Sequence, residues 1–290
     1  MKLNKITGLG LAAALLAGTS AHAASLDLKH IVAKVVVVPE ARSDVAVTVI
    51  KANPKLPLRV RNEADGVTVV DGGERDWWPM LFGGHISHCR VGPEGTSVHV
   101  AGVGDFSEDQ LPQLLVRVPM DARISTSGAI VGSLPAAQTL DLSIAGCDTW
   151  TIGDIKGRMH LSEAGQGRIR TGALGSADID IAGTATVTTR AIADELKVSI
   201  SGAGDLYSSS ASGQIAMSIA GKGQMRIDGG HVSSLKGSIA GNGDLTYEGA
   251  VDRVKISVAG KGSVHVAHVA GMTGPLNQGI MGVGEIDEGR

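Results

Sequence analysis

Between Leu142 and Val264 apolar and polar residues alternate within a short phrase that returns seven times: LSIAGCDTW, LSEAGQGRI, IDIAGTATV, VSISGAGDL, MSIAGKGQM, GSIAGNGDL and ISVAGKGSV. Each phrase has an anchor glycine, at Gly146, Gly165, Gly183, Gly202, Gly221, Gly241 and Gly260, and successive anchors lie 19, 18, 19, 19, 20 and 19 residues apart. In one phrase Val198, Ile200, Gly202, Gly204 and Leu206 fall on one side, and Ser199, Ser201, Ala203, Asp205 and Tyr207 on the other. Alternation in twos is the period of a strand, because successive side chains of an extended chain point to opposite faces. A unit of this length cannot fold alone, so it must bury its apolar side against its neighbours. The pattern predicts a parallel β-solenoid, with both glycines inward at a corner that has no room for a side chain.

Stacked by their anchors, the phrases form ladders. Two residues before the anchor stand Ile144, Glu163, Ile181, Ile200, Ile219, Ile239 and Val258. Four after it stand Trp150, Ile169, Val187, Leu206, Met225, Leu245 and Val264. Upstream, the apolar runs 35–38, 45–50 and 67–70 are separated or bounded by the turn signals Pro39-Glu40, Asn53-Pro54 and Asp65-Gly66, and predict first coils or a capping sheet. Residues 71–95 break the rhythm with Trp77, Trp78, Phe82, His85, His88 and Cys89. Rhythm resumes in SVHVAGVGDF (97–106), which fits a coil anchored at Gly102, and the tail holds a degenerate eighth phrase at Gly282 to Ile286. The expected division is a leader at 1–23, coils or a cap at 24–97, and the solenoid with its C-terminal cap at 98–290.

Composition supports thin, repetitive β-structure: of 290 residues 41 are glycine, 19% are charged, and only three Trp, two Tyr and two Phe are present. Residues 1–23 have the form of a secretory signal peptide, with Lys2 and Lys5, an apolar run from Ile6 to Gly18, and Ala21-His22-Ala23 as a cleavage site. Losing the two lysines would take the formal charge from −3 to −5. No basic patch favours nucleic acid. No later stretch has the roughly 20 apolar residues that a membrane-spanning helix needs. The two cysteines, Cys89 and Cys147, are either a disulfide or two buried thiols.

The iterated phrases Ser-Gly-Ala-Gly-Asp-Leu (201–206) and Ala-Gly-Asn-Gly-Asp-Leu (240–245), following an export signal, resemble the bacterial GIN domain, also called the autotransporter adhesin head domain. The resemblance covers 98–106 and 124–270 best. It implies a right-handed parallel β-helix in the periplasm, on the outer-membrane surface or outside the cell. With the period and upstream strands read above, the expected fold is all-β, with about 19-residue coils and an N-terminal strand-rich cap. It implies no catalytic residue and no cofactor. Against the family pattern stand Asp148 and Ala185 at the second glycine, Glu163 in the isoleucine ladder, and the Trp/His/Cys insertion.

Other chemistries fit less well. The mature chain has no phosphate-binding glycine loop, and the column three residues after the anchor (Thr149, Arg168, Thr186, Asp205, Gln224, Asp244, Ser263) is too mixed for a calcium ladder. His85, His88 and Cys89 are zinc-ligand types without a fourth partner nearby, so no metal is expected there. Trp77, Trp78 and Phe82 form either a sugar platform or a hydrophobic plug at the solenoid's end. Asp148 and Glu163, with Arg168 and Arg170 close in sequence, are either an anomalous buried carboxylate site or a bulge or ion pair that turns Glu163 away from the core. The expected function is a non-enzymatic adhesin-like binding or structural module with a glycan or an envelope or surface protein as partner. The alternative is a polysaccharide lyase or hydrolase built on the same β-helix.

Overall fold

The structure, a computed structural model, describes residues 24–72, 86–92, 95–269, 279–282 and 285–288. In chain order come β1 (Ser25–Glu40), β2 (Ala46–Lys51), β3 (Arg59–Asn62), β4 (Val67–Asp71), β5 (Ile86–Gly92), β6 (Gly95–Val100), β7 (Gly104–Ser107), β8 (Gln113–Pro119), β9 (Asp121–Ala137) and β10 (Thr139–Glu163). They are followed by β11 (Gln166–Thr171), β12 (Leu174–Gly183) and β13 (Thr186–Gly202), and strands of the same kind carry the stack to Glu288. Coil lies on coil in parallel register: Leu142 pairs with Ile124, Ile181 with Ile200, Ile200 with Ile219, and Ile239 with Val258. The result is a β-solenoid of about eight turns. Its interior is one apolar column running from Leu26 to Val266.

The first coil is β1, whose valine-rich run lies parallel to β9, with Leu26 opposite Ile124 and Val35 opposite Gly132. Residues 41–120 are inserted between these two coils. On the other side of β1 lie β4 (Ser25 opposite Val67) and β8 (Val35 opposite Leu114), both parallel to it. Outermost, β3 and β2 run antiparallel on β4 and β8. This N-terminal end is an open sheet edge, which would pair with another chain unless blunted. The strands at this edge are short and carry Lys51, Arg59 and Arg61 beside the exposed Val49, Ile50 and Val60.

The phrase at 97–106 is not a coil. Val98 pairs antiparallel with Phe106 and His99 with Asp105, so β6 and β7 form a tight hairpin that β5 extends to a three-stranded sheet. Gly102 and Gly104 serve its turn, with φ of +73° and +124°. Glycine and alternation are common to a hairpin and a coil; what distinguishes them is whether a strand finds its partner locally or one coil away. This small sheet docks on the outside of the solenoid, where Val98, Val100 and Phe106 bury Val32 of β1 and Ala129 of β9. Among the described residues no helix is long and apolar enough to cross a membrane.

Candidate functional site

Each coil turns a corner at its anchor. Gly221 has φ of +138°, and a Cβ there would lie 2.3 Å from the carbonyl oxygen of Gly202 one coil earlier. Both the backbone angle and the close approach of the coils exclude a larger residue. The anchors are half-exposed or exposed, while Gly204, Gly223, Gly243 and Gly262 are buried. The expectation that both glycines face inward therefore holds only for the second; at the anchors other than Gly165 a left-handed backbone interrupts the alternation.

The second glycine meets the isoleucine ladder of the coil before it. A Cβ on Gly204, Gly223, Gly243 or Gly262 would lie 2.4, 2.6, 2.5 or 2.7 Å from Cγ2 of Ile181, Ile200, Ile219 or Ile239. The methyl branch of one coil fills the space a side chain on the next would need. Two coils depart from this rule in sequence, each doubly. Between them Ile144 and Gly167 keep the residues but lose the contact, since a Cβ on Gly167 would meet the Asp148 carbonyl oxygen and Glu163 Oε1, both at 3.2 Å. Thr126 stands two before Gly128, and Asp148 takes the second glycine's place one coil on. Glu163 stands two before Gly165, and Ala185 takes that place one coil on. Glutamate has no Cβ branch, so alanine can replace glycine beside it.

The departures bring two carboxyl groups into the core. Asp148 is 0% exposed and Glu163 1%. The Thr126 hydroxyl donates to Asp148 Oδ2 at 2.8 Å, and the Ile130 N–H donates to Oδ1 at 2.8 Å. The indole N–H of Trp150 lies near enough to favour the same charge, yet outside hydrogen-bond geometry. Among the described residues Glu163 has no hydrogen-bond partner on either oxygen. Its carboxyl occupies the space above Gly167, where a Cβ would meet Oε1 at 3.2 Å. Glu163 faces the core and neither Arg168 nor Arg170 pairs with it, which corrects the expectation of an outward bulge or an ion pair. The register stays continuous from Met159 to Glu163, so the chain has no bulge there with which to turn the side chain out.

Burial raises Asp148 to about 6 against the opposing pull of its hydrogen bonds. Burial first, and the neighbouring Asp148 charge second, raise Glu163 to about 8. Both carboxyls are held above the ordinary carboxylate range, and Glu163 keeps its proton to higher pH than Asp148 does. Such a pair has the electronic character of an acid and a base, but general acid–base work requires contact with a substrate. Both groups are sealed inside the coil, so a polysaccharide on the surface cannot touch them.

Outside this corner, Cys147 forms a disulfide with Cys89 of β5, with their Cα atoms 6.2 Å apart. The hydroxyl oxygens of Thr96 and Thr149 lie 3.3 Å apart across the same contact. The inserted sheet is thus fastened to the coil that carries Asp148. Trp77, Trp78, Phe82 and His85 lie outside the described residues, as does the side chain of His88.

Residues 197–270 match the model of the family described as "Putative auto-transporter adhesin, head GIN domain". Over this segment the chain matches the GIN family. The matched segment contains Gly204, Gly223, Gly243 and Gly262, the glycines that meet the isoleucine ladder. Among solved structures, the chain is similar to a "putative adhesin" from Parabacteroides distasonis ATCC 8503, with 15% identity over 92% of this chain and 93% of that one and a TM-score of 0.43. It is also similar to a "putative cell adhesion protein" from Clostridium sporogenes ATCC 15579, with 13% identity over 86% and 92% and a TM-score of 0.23. No curated protein matches.

Proposed function

We propose that this chain is an exported, adhesin-like binding module of the cell envelope, acting without catalysis on a glycan or on an envelope or surface protein. The observation that carries this reading is the GIN match over 197–270. The secretory character of residues 1–23 supports export. Sealing of Asp148 and Glu163 in the core supports a non-catalytic role for the carboxylates that the enzyme reading would use. The outward columns of the stacked coils offer a partner a repetitive, rigid surface.

The test is a screen of residues 24–290 against glycans and envelope polysaccharides, with product release followed in parallel. A Trp77→Ala/Trp78→Ala variant of verified folding accompanies it. Saturable binding without product is the expected result, and its loss in the tryptophan variant would assign the insertion as the contact. Turnover of any polysaccharide that Glu163→Gln abolishes would overturn the proposal.

A further inference from the structure

Two outward columns of the solenoid carry a local break of a different kind. Three residues before the anchors stand Ser162, Asp180, Ser199, Ser218, Ser238 and Ser257, each in register with the next. Asp180 is the one carboxylate in this serine ladder. Five residues before the anchors, His160 lies in register with Asp178, and Asp178 with Lys197. The carboxylate in the serine column therefore sits beside the step at which the neighbouring column passes from histidine to aspartate.

We propose that His160, Asp178 and Asp180 form a binding site for a divalent transition-metal ion, of which zinc is the type, on the outer face of the solenoid. One ligand atom from each residue lies within 4.8 Å of the others. His160 Nδ1 is 3.9 Å from Asp178 Oδ2. Donors bound to zinc at roughly 2.0–2.2 Å in tetrahedral geometry stand about 3.3–3.6 Å apart. Closing the site therefore takes at most about 1.5 Å of approach between any two ligand atoms, shared by side chains that are partly open to solvent.

The surrounding charges leave the two aspartates available. Lys197, next in the column, has its ammonium 3.2 Å from Glu195, and Arg158 also pairs with Glu195, at 3.5 Å. Among the described residues no lysine or arginine forms an ion pair with Asp178 or Asp180 within 4.0 Å. Two carboxylates this close repel each other, and a divalent ion between them relieves that repulsion. The set of one imidazole nitrogen and two carboxylate oxygens suits zinc, cobalt, nickel, manganese or iron(II). It does not suit calcium, which takes six to eight oxygens. Three protein ligands also leave a coordination position open to water or to a group on a partner. The ligands sit on adjacent coils held by parallel backbone pairing, so the frame of the site is fixed before the ion arrives.

The experiment is a titration of the metal-free protein with zinc by calorimetry, with cobalt(II) absorption as a second readout and calcium as competitor. The variants are His160→Ala, Asp178→Asn and Asp180→Ser, the last of which restores the serine ladder. His231→Ala removes another exposed histidine, paired with Asp252 at 2.8 Å, and serves as control. The expected result is one zinc per chain, no competition from calcium, at least tenfold weaker binding in each of the three variants, and unchanged binding in the control. All four variants should melt like the parent protein. Absence of zinc binding, or binding that survives both His160→Ala and Asp180→Ser, would overturn the proposal.

Discussion

In the coils from Ile181 to Gly262, an isoleucine on one coil and a glycine on the next fit as branch and gap. In the coils from Thr126 to Ala185, the same two columns hold Thr126 with Asp148 and Glu163 with Ala185. The first arrangement buries an apolar side chain, worth about 1.5–3 kcal/mol each time. The second buries two carboxyl groups, one of them with no hydrogen-bond partner, at a cost of about 1–3 kcal/mol for the orphaned group. The backbone ladder is the same in both regions, so register does not depend on what fills the corner. What differs is the tolerance of each corner, and the irregular one is also where the inserted sheet is fastened by a disulfide.

Cutting that fastening should have the largest effect. A disulfide closing a separation of 58 residues is worth about 4 kcal/mol in the chain-entropy account. Cys89→Ser/Cys147→Ser should therefore lower stability by about that amount in denaturant titration. Hydrogen exchange should rise in β5–β7 and around Cys147 and stay low from 224 to 266. Equal loosening of both regions would show that the disulfide does not act locally.

Next in size is Gly223→Ala, whose Cβ would fall 2.6 Å from Ile200 Cγ2 and 2.8 Å from Gly204 O. It should cost about 3 kcal/mol, against less than about 1 kcal/mol for Ala185→Gly. Comparable losses at the two positions would break the branch-and-gap rule. The rule can also be rebuilt: Glu163→Ile alone should clash with Ala185, and Ala185→Gly should relieve it. The expected coupling is about 2 kcal/mol in a double-mutant cycle read by thermal unfolding.

The last effect depends on pH. Glu163 is raised to about 8 and Asp148 to about 6, from ordinary values of 4.5 and 3.8. The folded protein holds protons there that the unfolded chain releases. Stability from these groups is therefore fully present below about pH 4 and declines as pH rises to about 8. Glu163→Gln keeps a neutral group in place and should flatten this decline. It should gain roughly 2 kcal/mol over the parent at pH 9 and lose about 1 kcal/mol at pH 5. Parallel stability curves for the two proteins across this range would mean that Glu163 does not titrate in the fold.

Much of the site was visible as departures. Asp148, Ala185 and Glu163 stand out against their columns because every other coil supplies a reference. Their pairing across coils was not visible while each column was read alone; it needs Glu163 compared with Ala185 one coil on, and Thr126 with Asp148. That neither Arg168 nor Arg170 pairs with Glu163 was not visible at all, because both are close in sequence and alternation does not say which residues a side chain meets. The segment 97–106 shows the same limit, since SVHVAGVGDF suits a coil and a hairpin equally.

The sequence by itself determined the period, the parallel stacking and the apolar ladders. These repeat in every unit, and an error in one phrase is outvoted by the others. It also set the positions of the glycine corners, because a Cβ at any anchor would run into the backbone of the anchor one coil before it. The tertiary structure alone decided that β1 and not the 97–106 phrase belongs to the stack, that the insertion docks on the coil of Cys147, and that Glu163 remains in the core without a partner. Each of these depends on contacts between segments distant in sequence, where the choice of neighbour is set by how the whole surface is covered and not by any local pattern.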